Sequence, residues 1–441
     1  MSPREGTKPI GTPSTYEARE KRFYDAVSLT KPDRVPIASF AVFFLTKYSG
    51  LTNAKAMYDY DKMAKAWKQS MQRLNWDMAP LHQSVFAGPV MEITGLKAFK
   101  WPGYNLADDA LYQYVENEYM MADEYDEFLA DPGSFTIRKG LPRMASVFEP
   151  LAILPPLPSF AFGYSIFTVV STFVGIPGFP QMMETLIKTG REMNRYNATQ
   201  ARLVKDLASM GFPCITAGFT FTAFDWLCVL LRGLKGTMLD MFQQPDKVKA
   251  VIERLIPYTI GQAVAVTQMT GNRRVMIPLW RGAAGFMSDK HFAEFYWPSL
   301  KQLLLALIEQ GITPMPWFEG DYTPRLKYLA ELPRGKVAGH FDRVDKRKFK
   351  EILGNVMCFW GDVPPQLLVT GTPEKVRDYV KGLIAFFSDR GGLIVDGAVE
   401  GIPAEAKPEN VEAMTEAVFE YGVYQGISEG QVQHEIRRGD N

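Results

Sequence analysis

Residues 312–321 read ITPMPWFEGD: a short apolar run, Ile312–Phe318, that ends in Glu319 and Asp321. Three later stretches have the same form. KVAGHFD (336–342) runs into His340 and Asp342, VMCFWGD (356–362) into Asp362, and GLIVDG (392–397) leads on to Glu400. Between these runs lie stretches with helical spacing, so strand and helix alternate. That alternation implies a parallel sheet, and the count favours a closed (β/α)8 TIM barrel with insertions over an open sheet. In such a barrel the C-terminal strand ends share one face, and residues distant in sequence converge there on a single pocket. The pattern points to an enzyme.

Working outward, Ser14–Leu29 has helical spacing after a Ser/Thr start. Lys31-Pro32-Asp33 is a turn, and Arg34–Phe40 reads as the first buried strand. Lys55–Leu74 is expected as one helix, and residues 75–145 as strand and loop material. Glu184–Met210 reads as a long helix, Pro213–Phe221 as a strand, Gln244–Met269 as a helix and Arg274–Trp280 as a strand. Thr372-Pro373-Glu374 opens a helix with a hydroxyl cap, Pro in the first turn and an acid at the positive dipole end. Residues 1–13 form a mobile arm, 14–425 a single barrel domain and 426–441 a polar tail.

The 49 basic and 49 acidic residues cancel, so no global field favours nucleic acid or an anionic membrane. Cys214, Cys228 and Cys358 show neither CxxC spacing nor a disulfide framework, which suits a reducing cytoplasm. The N-terminus lacks the hydrophobic core of a secretory signal. Between Glu149 and Glu184 there is no charge, and Ser159–Ile176 reaches the lower length limit for a spanning helix. Prolines crowd both flanks and no Lys/Arg cluster adjoins it, so the segment around 148–183 reads as an apolar insertion, either core or lid.

Several motifs resemble the uroporphyrinogen decarboxylase superfamily, which also contains corrinoid- and coenzyme M-linked methyltransferases. They are Lys31-Pro32-Asp33-Arg34-Val35-Pro36, Ala284-Gly285-Phe286-Met287-Ser288, Trp360-Gly361-Asp362-Val363-Pro364 with Gly371–Val376, and Gly401-Ile402-Pro403 with Lys407–Val411. The resemblance implies the same TIM barrel. Departures from it shape the expected chemistry. The decarboxylase branch's Asp loop reads His82-Gln83-Ser84, its active-site Ser falls near Gly282, and its C-terminal His falls at Glu400. Ser39–Tyr48 carries only Lys47, too little charge for a porphyrinogen's many carboxylates. The methyltransferase branch's zinc-binding His-x-Cys falls at Trp317-Phe318-Glu319, and its last Cys at Glu400, so carboxylates replace both thiolates.

The resemblance thus implies a corrinoid-dependent methyltransferase or demethylase of a small apolar or aromatic substrate. The chain has no DxHxxG motif, so the corrinoid (cobalamin) is expected on a separate partner protein. Glu319, His340, Glu400 and Asp342 are the expected catalytic groups, with Asp342 orienting His340 or capping the next helix. Glu319, His340 and Glu400 are also expected ligands should a divalent metal such as zinc be used. His82, Trp280, Arg281, Phe286, Trp317 and Phe318 are expected to contact substrate, with Arg281 pairing either a substrate anion or Glu319. A homo-oligomer is compatible with this reading, as are two alternatives: a decarboxylase or lyase of a non-porphyrin acid, and a non-catalytic ligand-binding barrel.

Overall fold

The computed structural model describes residues 8–156, 166–398 and 401–424. A short antiparallel pair, β1 (Phe99–Lys100) and β2 (Gln113–Tyr114), lies outside the main sheet. The main sheet is parallel: β3 (Gly218–Phe219), β4 (Arg274–Leu279), β5 (Thr313–Asp321), β6 (Ala338–Arg343), β7 (Cys358–Trp360) and β8 (Leu393–Ile394), each bonded to the next in sequence. Three further parallel bridges close the ring: Ile37 with Val395, Ala38 with Met78, and Ala79 with Cys214. Eight parallel strand positions in chain order make the expected (β/α)8 barrel.

Alternation along each strand sorts the core. Met315 and Trp317 of β5, Ala338 of β6, and Cys358 and Trp360 of β7 point inward and pack with Met78, Met276 and Ile394. Phe318, Phe341 and Phe359 point outward against the surrounding helices. The helix Tyr16–Val27, capped by Thr15, presses Phe23, Ala26 and Val27 into the inner cluster and plugs the N-terminal end of the barrel.

Several motifs that carried the resemblance prove to hold the fold together. Arg34 meets the buried Asp77 bidentately at 2.8 and 2.8 Å, and Asp77 also accepts from Arg22 and from the Ile37 N–H. This ties the first two strand segments to the plug helix. The Asn410 amide donates to the carbonyls of Leu367, Leu368 and Gly371. Asp362 accepts from Lys346 and Tyr379, both at 2.8 Å, so it anchors a helix to the barrel wall.

Other expectations need correction. Residues 8–13 are pinned, not mobile: Arg73 and Asn75 donate to the carbonyls of Lys8, Ile10 and Thr12, and Ile10 is buried. The tail 426–441 lies outside the described residues. Lys55–Leu74 is two helices, Asn53–Tyr58 and Tyr60–Leu74, because extended Asp59 breaks the first and caps the second. Residues 75–145 hold β1, β2 and much loop, as expected, but also short helices such as Gly88–Thr94, Tyr125–Ala130 and Pro132–Phe135. Segments of four to seven residues are too short for a 3.6-residue period to show. The uncharged insertion includes the helix Ile166–Gly175, and residues 157–165 lie outside the description. Among the described residues no helix is long and apolar enough to cross a membrane, and all three cysteines are free.

Candidate active site

Two buried polar groups stand at the C-terminal strand ends, each built from residues on different strands. The first centres on His340. Register places Trp317, His340 and Trp360 side by side across β5, β6 and β7. The imidazole stacks on Trp317, with centroids 3.6 Å apart and planes 8° from parallel, and meets Trp360 edge-on at 4.7 Å. Its Nε2 lies 3.0 Å from the Gly397 carbonyl and 3.3 Å from Asp396 Oδ2. A carbonyl only accepts, so Nε2 carries the proton. In the neutral ring Nδ1 then keeps a bare lone pair, and this atom is buried without a hydrogen-bond partner. Asp396 also accepts from the N–H groups of Phe40 (3.0 Å) and Gly397 (2.6 Å). Burial nevertheless pushes its carboxyl above the usual range, against the pull of His340.

The second group centres on Asp225, at the end of the short helix Ala223–Asp225 that follows β3. Thr222 caps this helix and donates to Asp225 Oδ2 at 2.9 Å. Tyr296 donates to the same oxygen at 2.5 Å, and the Arg281 N–H donates to Oδ1 at 3.0 Å. Burial pushes Asp225 up to about 6, the hydrogen bonds only partly offsetting it. Tyr322, after β5, packs alongside, with its hydroxyl on the Leu279 carbonyl at 3.3 Å. A Cβ at Gly282 would stand 2.5 Å from the Tyr322 hydroxyl and 2.8 Å from the Tyr296 ring, so this position admits no side chain.

Around these groups the strand ends carry half-buried aromatics. Phe221 packs on Trp280 at 5.0 Å and on Trp226 at 6.3 Å, while Phe40 meets Trp317 edge-on at 5.1 Å. Phe286 is 41% exposed, and the Arg281 guanidinium lies 5.0 Å from its ring centroid. A cavity of about 320 Å³ lies toward the opposite end of the barrel, walled by Tyr16, Glu20, Tyr24, Cys214, Asn272 and Arg274. That is the end at which barrels place stabilising contacts, not chemistry.

The expected site residues separate accordingly. Trp280, Arg281 and Phe286 gather on the rim, and Trp317 and His340 lie just inside the barrel. Glu319 is half-buried at the end of β5. Phe318 is core: it points outward, is fully buried and stacks on Phe341 at 4.4 Å, because adjacent strand residues face opposite ways. Asp342 neither orients His340 nor caps a helix; its carboxylate accepts the Gly320 N–H at 3.0 Å and fixes the turn after Glu319. Asp345 caps the following helix instead. His82 opens a one-turn helix, His82–Ser84. Its side chain, and all of Glu400, lie outside the described residues. Asp396 and Asp225 went unread although each had a signal. Asp396 interrupts an apolar run, and Thr222-Ala223-Phe224-Asp225 has capping-box spacing.

Among the described residues no three His, Cys, Asp or Glu side chains come together as metal ligands. Glu400, one of the three expected ligands, lies outside the described residues, and His340 turns Nε2 toward Asp396 and Gly397 and keeps Nδ1 open.

Parallel strands closed into a ring, with polar groups buried at their C-terminal ends, define a (β/α)8 barrel of the kind that carries its site on that face. The model of the Uroporphyrinogen decarboxylase (URO-D) family matches residues 181–421, more than half of the chain, and the chain belongs to that family. A methyltransferase from Methanosarcina mazei shares the fold, with a TM-score of 0.60 at 15% identity over 91% of this chain and 98% of that one. No curated protein sequence matches.

Proposed function

We propose that this barrel is a corrinoid-dependent methyltransferase or demethylase acting on a small apolar or aromatic substrate, with a separate corrinoid protein carrying the cofactor. The observation that carries the reading is the aromatic rim of Phe221, Trp226, Trp280 and Phe286 at the strand ends, beside the buried carboxyl of Asp225. Family membership and the fold shared with a methyltransferase support it. Against porphyrinogen decarboxylation stand the single Lys47 in Ser39–Tyr48 and the packing that denies Gly282 a side chain.

The rim aromatics would stack an aromatic substrate and exclude water from its reacting end. Exposed Phe286 and half-buried Trp280, at the barrel mouth, are the residues that would face the corrinoid, whose cobalt would supply the methyl-accepting or methyl-donating centre. Loss of a methyl group from an ether leaves an oxygen that needs a proton. Glu319, at the end of β5, is the acid placed to supply one. The His340–Asp396 pair sits one step deeper and can hold or return a proton at Nδ1.

The test is spectroscopic. Purified protein is mixed with methylcobalamin, or with its corrinoid partner and aromatic methyl ethers. A change in the cobalt absorption spectrum is expected, and its absence with every substrate would remove the reading. Carbon dioxide release without corrinoid would favour the lyase alternative. Metal analysis of wild type beside Glu319→Ala and Glu400→Ala checks the ligand question directly: stoichiometric metal lost in both variants would reinstate a metal centre.

A further inference from the structure

Most buried and half-buried arginines of this barrel meet a carboxylate; among the described residues Arg19, which donates to Asn75 and the Gly211 carbonyl, and Arg281 do not. Arg22 and Arg34 meet Asp77, Arg274 meets Glu20 bidentately at 2.7 and 2.8 Å, Arg232 meets Asp240 at 2.7 Å, and Arg325 meets Asp289 at 2.7 Å. Arg281 makes no ion pair among the described residues, its side chain donates no hydrogen bond to them, and its Nε is buried without a partner. Asp225 feels the Arg281 charge but accepts no hydrogen bond from its guanidinium. Both oxygens of Asp225 are occupied, Oδ1 by the Arg281 N–H itself and Oδ2 by Tyr296 and Thr222. Beside that carboxylate, which it does not bond, the guanidinium has the Phe286 ring beneath it, a weak partner.

A half-buried guanidinium that gives up water without gaining an acceptor is costly, so its place calls for an anion that the chain does not supply. The backbone bond from Arg281 to Asp225 fixes where β4 ends and therefore where the guanidinium stands. Trp280, just past the end of β4, precedes it in the chain and packs on Phe221, so flat apolar surface stands on the same rim. We propose that Arg281 is the anion-binding residue of the substrate site and that the substrate is an aromatic carboxylate, its ring on the Trp280–Phe221 surface and its carboxylate on the guanidinium. A planar guanidinium matches a carboxylate in two parallel hydrogen bonds, which fixes the ring's orientation as well as its affinity. This rests on the reading above in placing the substrate at the strand ends, and it narrows a small aromatic substrate to an anionic one.

Binding separates the two ideas, because it needs no corrinoid. Titration calorimetry would compare 3-methoxybenzoate with anisole, its neutral counterpart, on wild type, Arg281→Gln and Arg281→Lys. Wild type should prefer the acid. Arg281→Gln should weaken acid binding about 10- to 100-fold while leaving anisole within about twofold, the loss typical of one charge-assisted pair. Arg281→Lys should fall between, keeping the charge and losing the fork. Far-UV circular dichroism and an unchanged melting temperature verify that the variants are folded. Equal binding of the acid by Arg281→Gln, failure of wild type to bind it, or a wild-type preference for anisole would each overturn the proposal. An acid that binds through Arg281 yet never exchanges its methyl group would remove the methyltransferase reading and leave this subsite standing. Methyl transfer from neutral ethers, together with equal binding of the acid by wild type and Arg281→Gln, would do the reverse.

Discussion

The two ends of this barrel treat buried charge in opposite ways. At the N-terminal end, Asp77 takes two guanidiniums and a backbone N–H, Glu20 takes Arg274, and Arg19 donates to Asn75 and to the Gly211 carbonyl. At the C-terminal end, Arg281 lacks an acid, His340 keeps a bare Nδ1, and Asp225 and Asp396 are carboxyls pushed upward by burial. Buried polar groups are tolerated when satisfied and costly when not. The first end therefore reads as stabilising structure. The second reads as a place where polar capacity is held for something that arrives from outside.

The sharpest way to break this contrast is Asp77→Ala. It strands two buried guanidiniums and should cost about 3–5 kcal/mol in urea unfolding. A cost below about 1 kcal/mol would mean that the lower ion cluster does not hold the fold. A second contrast sits on neighbouring strands. Phe318→Ala should cost about 3–5 kcal/mol, since the ring is core. Trp280→Ala should cost about 1 kcal/mol and act chiefly on ligand binding. Comparable destabilisation by the two would place Trp280 in the core and remove it from the rim.

Asp225 offers a test by pH. Its folded pKa of about 6 lies above its ordinary value of 3.8, so between those values the folded chain holds a proton that the unfolded chain releases. Stability from this group is then greatest below 3.8 and falls as pH rises toward 6 and beyond. A shift of about two units corresponds to about 3 kcal/mol. Urea unfolding of wild type and Asp225→Asn at pH 4 and pH 7 should differ by up to that amount, with wild type the one losing stability on going to pH 7. Parallel pH profiles would show that Asp225 is not held protonated by burial. The smallest effect is expected at the exposed Lys21–Asp25 pair on the plug helix, where Lys21→Ala should change stability by no more than about 0.5 kcal/mol. A larger change would extend the lower charge network to the surface.

Much of the barrel was legible because its signals are local. The runs at 312–318, 336–339 and 356–361 each overlap a real strand, although Trp317 and Phe318, both expected at the substrate, face opposite ways. The insertion between the second and third strand positions was not legible, because its short helices take their stability from packing instead of from periodicity. Reading strand ends put Glu319, His340 and Arg281 at or beside the ends of β5, β6 and β4, where they lie, but assigned the wrong carboxylate to His340. Asp342 is two residues away along the same strand, whereas Asp396, the true partner, arrives from β8. Nearness in sequence misled there because neighbouring residues on a strand cannot bend back on one another, while strands two places apart in the ring can share the barrel's interior.

What the sequence by itself determined was the ring of strands, the order of its units and the face on which polar side chains would gather. Those follow from alternation and spacing within ten or twenty residues. Which of the polar groups are saturated and which are held open was decided only by the tertiary structure. Arg281 finds the acid at 225 already engaged by Tyr296, and His340 meets the turn after β8, contacts between segments 56 to 71 residues apart. Hydrogen-bond satisfaction depends on where distant strands end in space, and no local pattern encodes it.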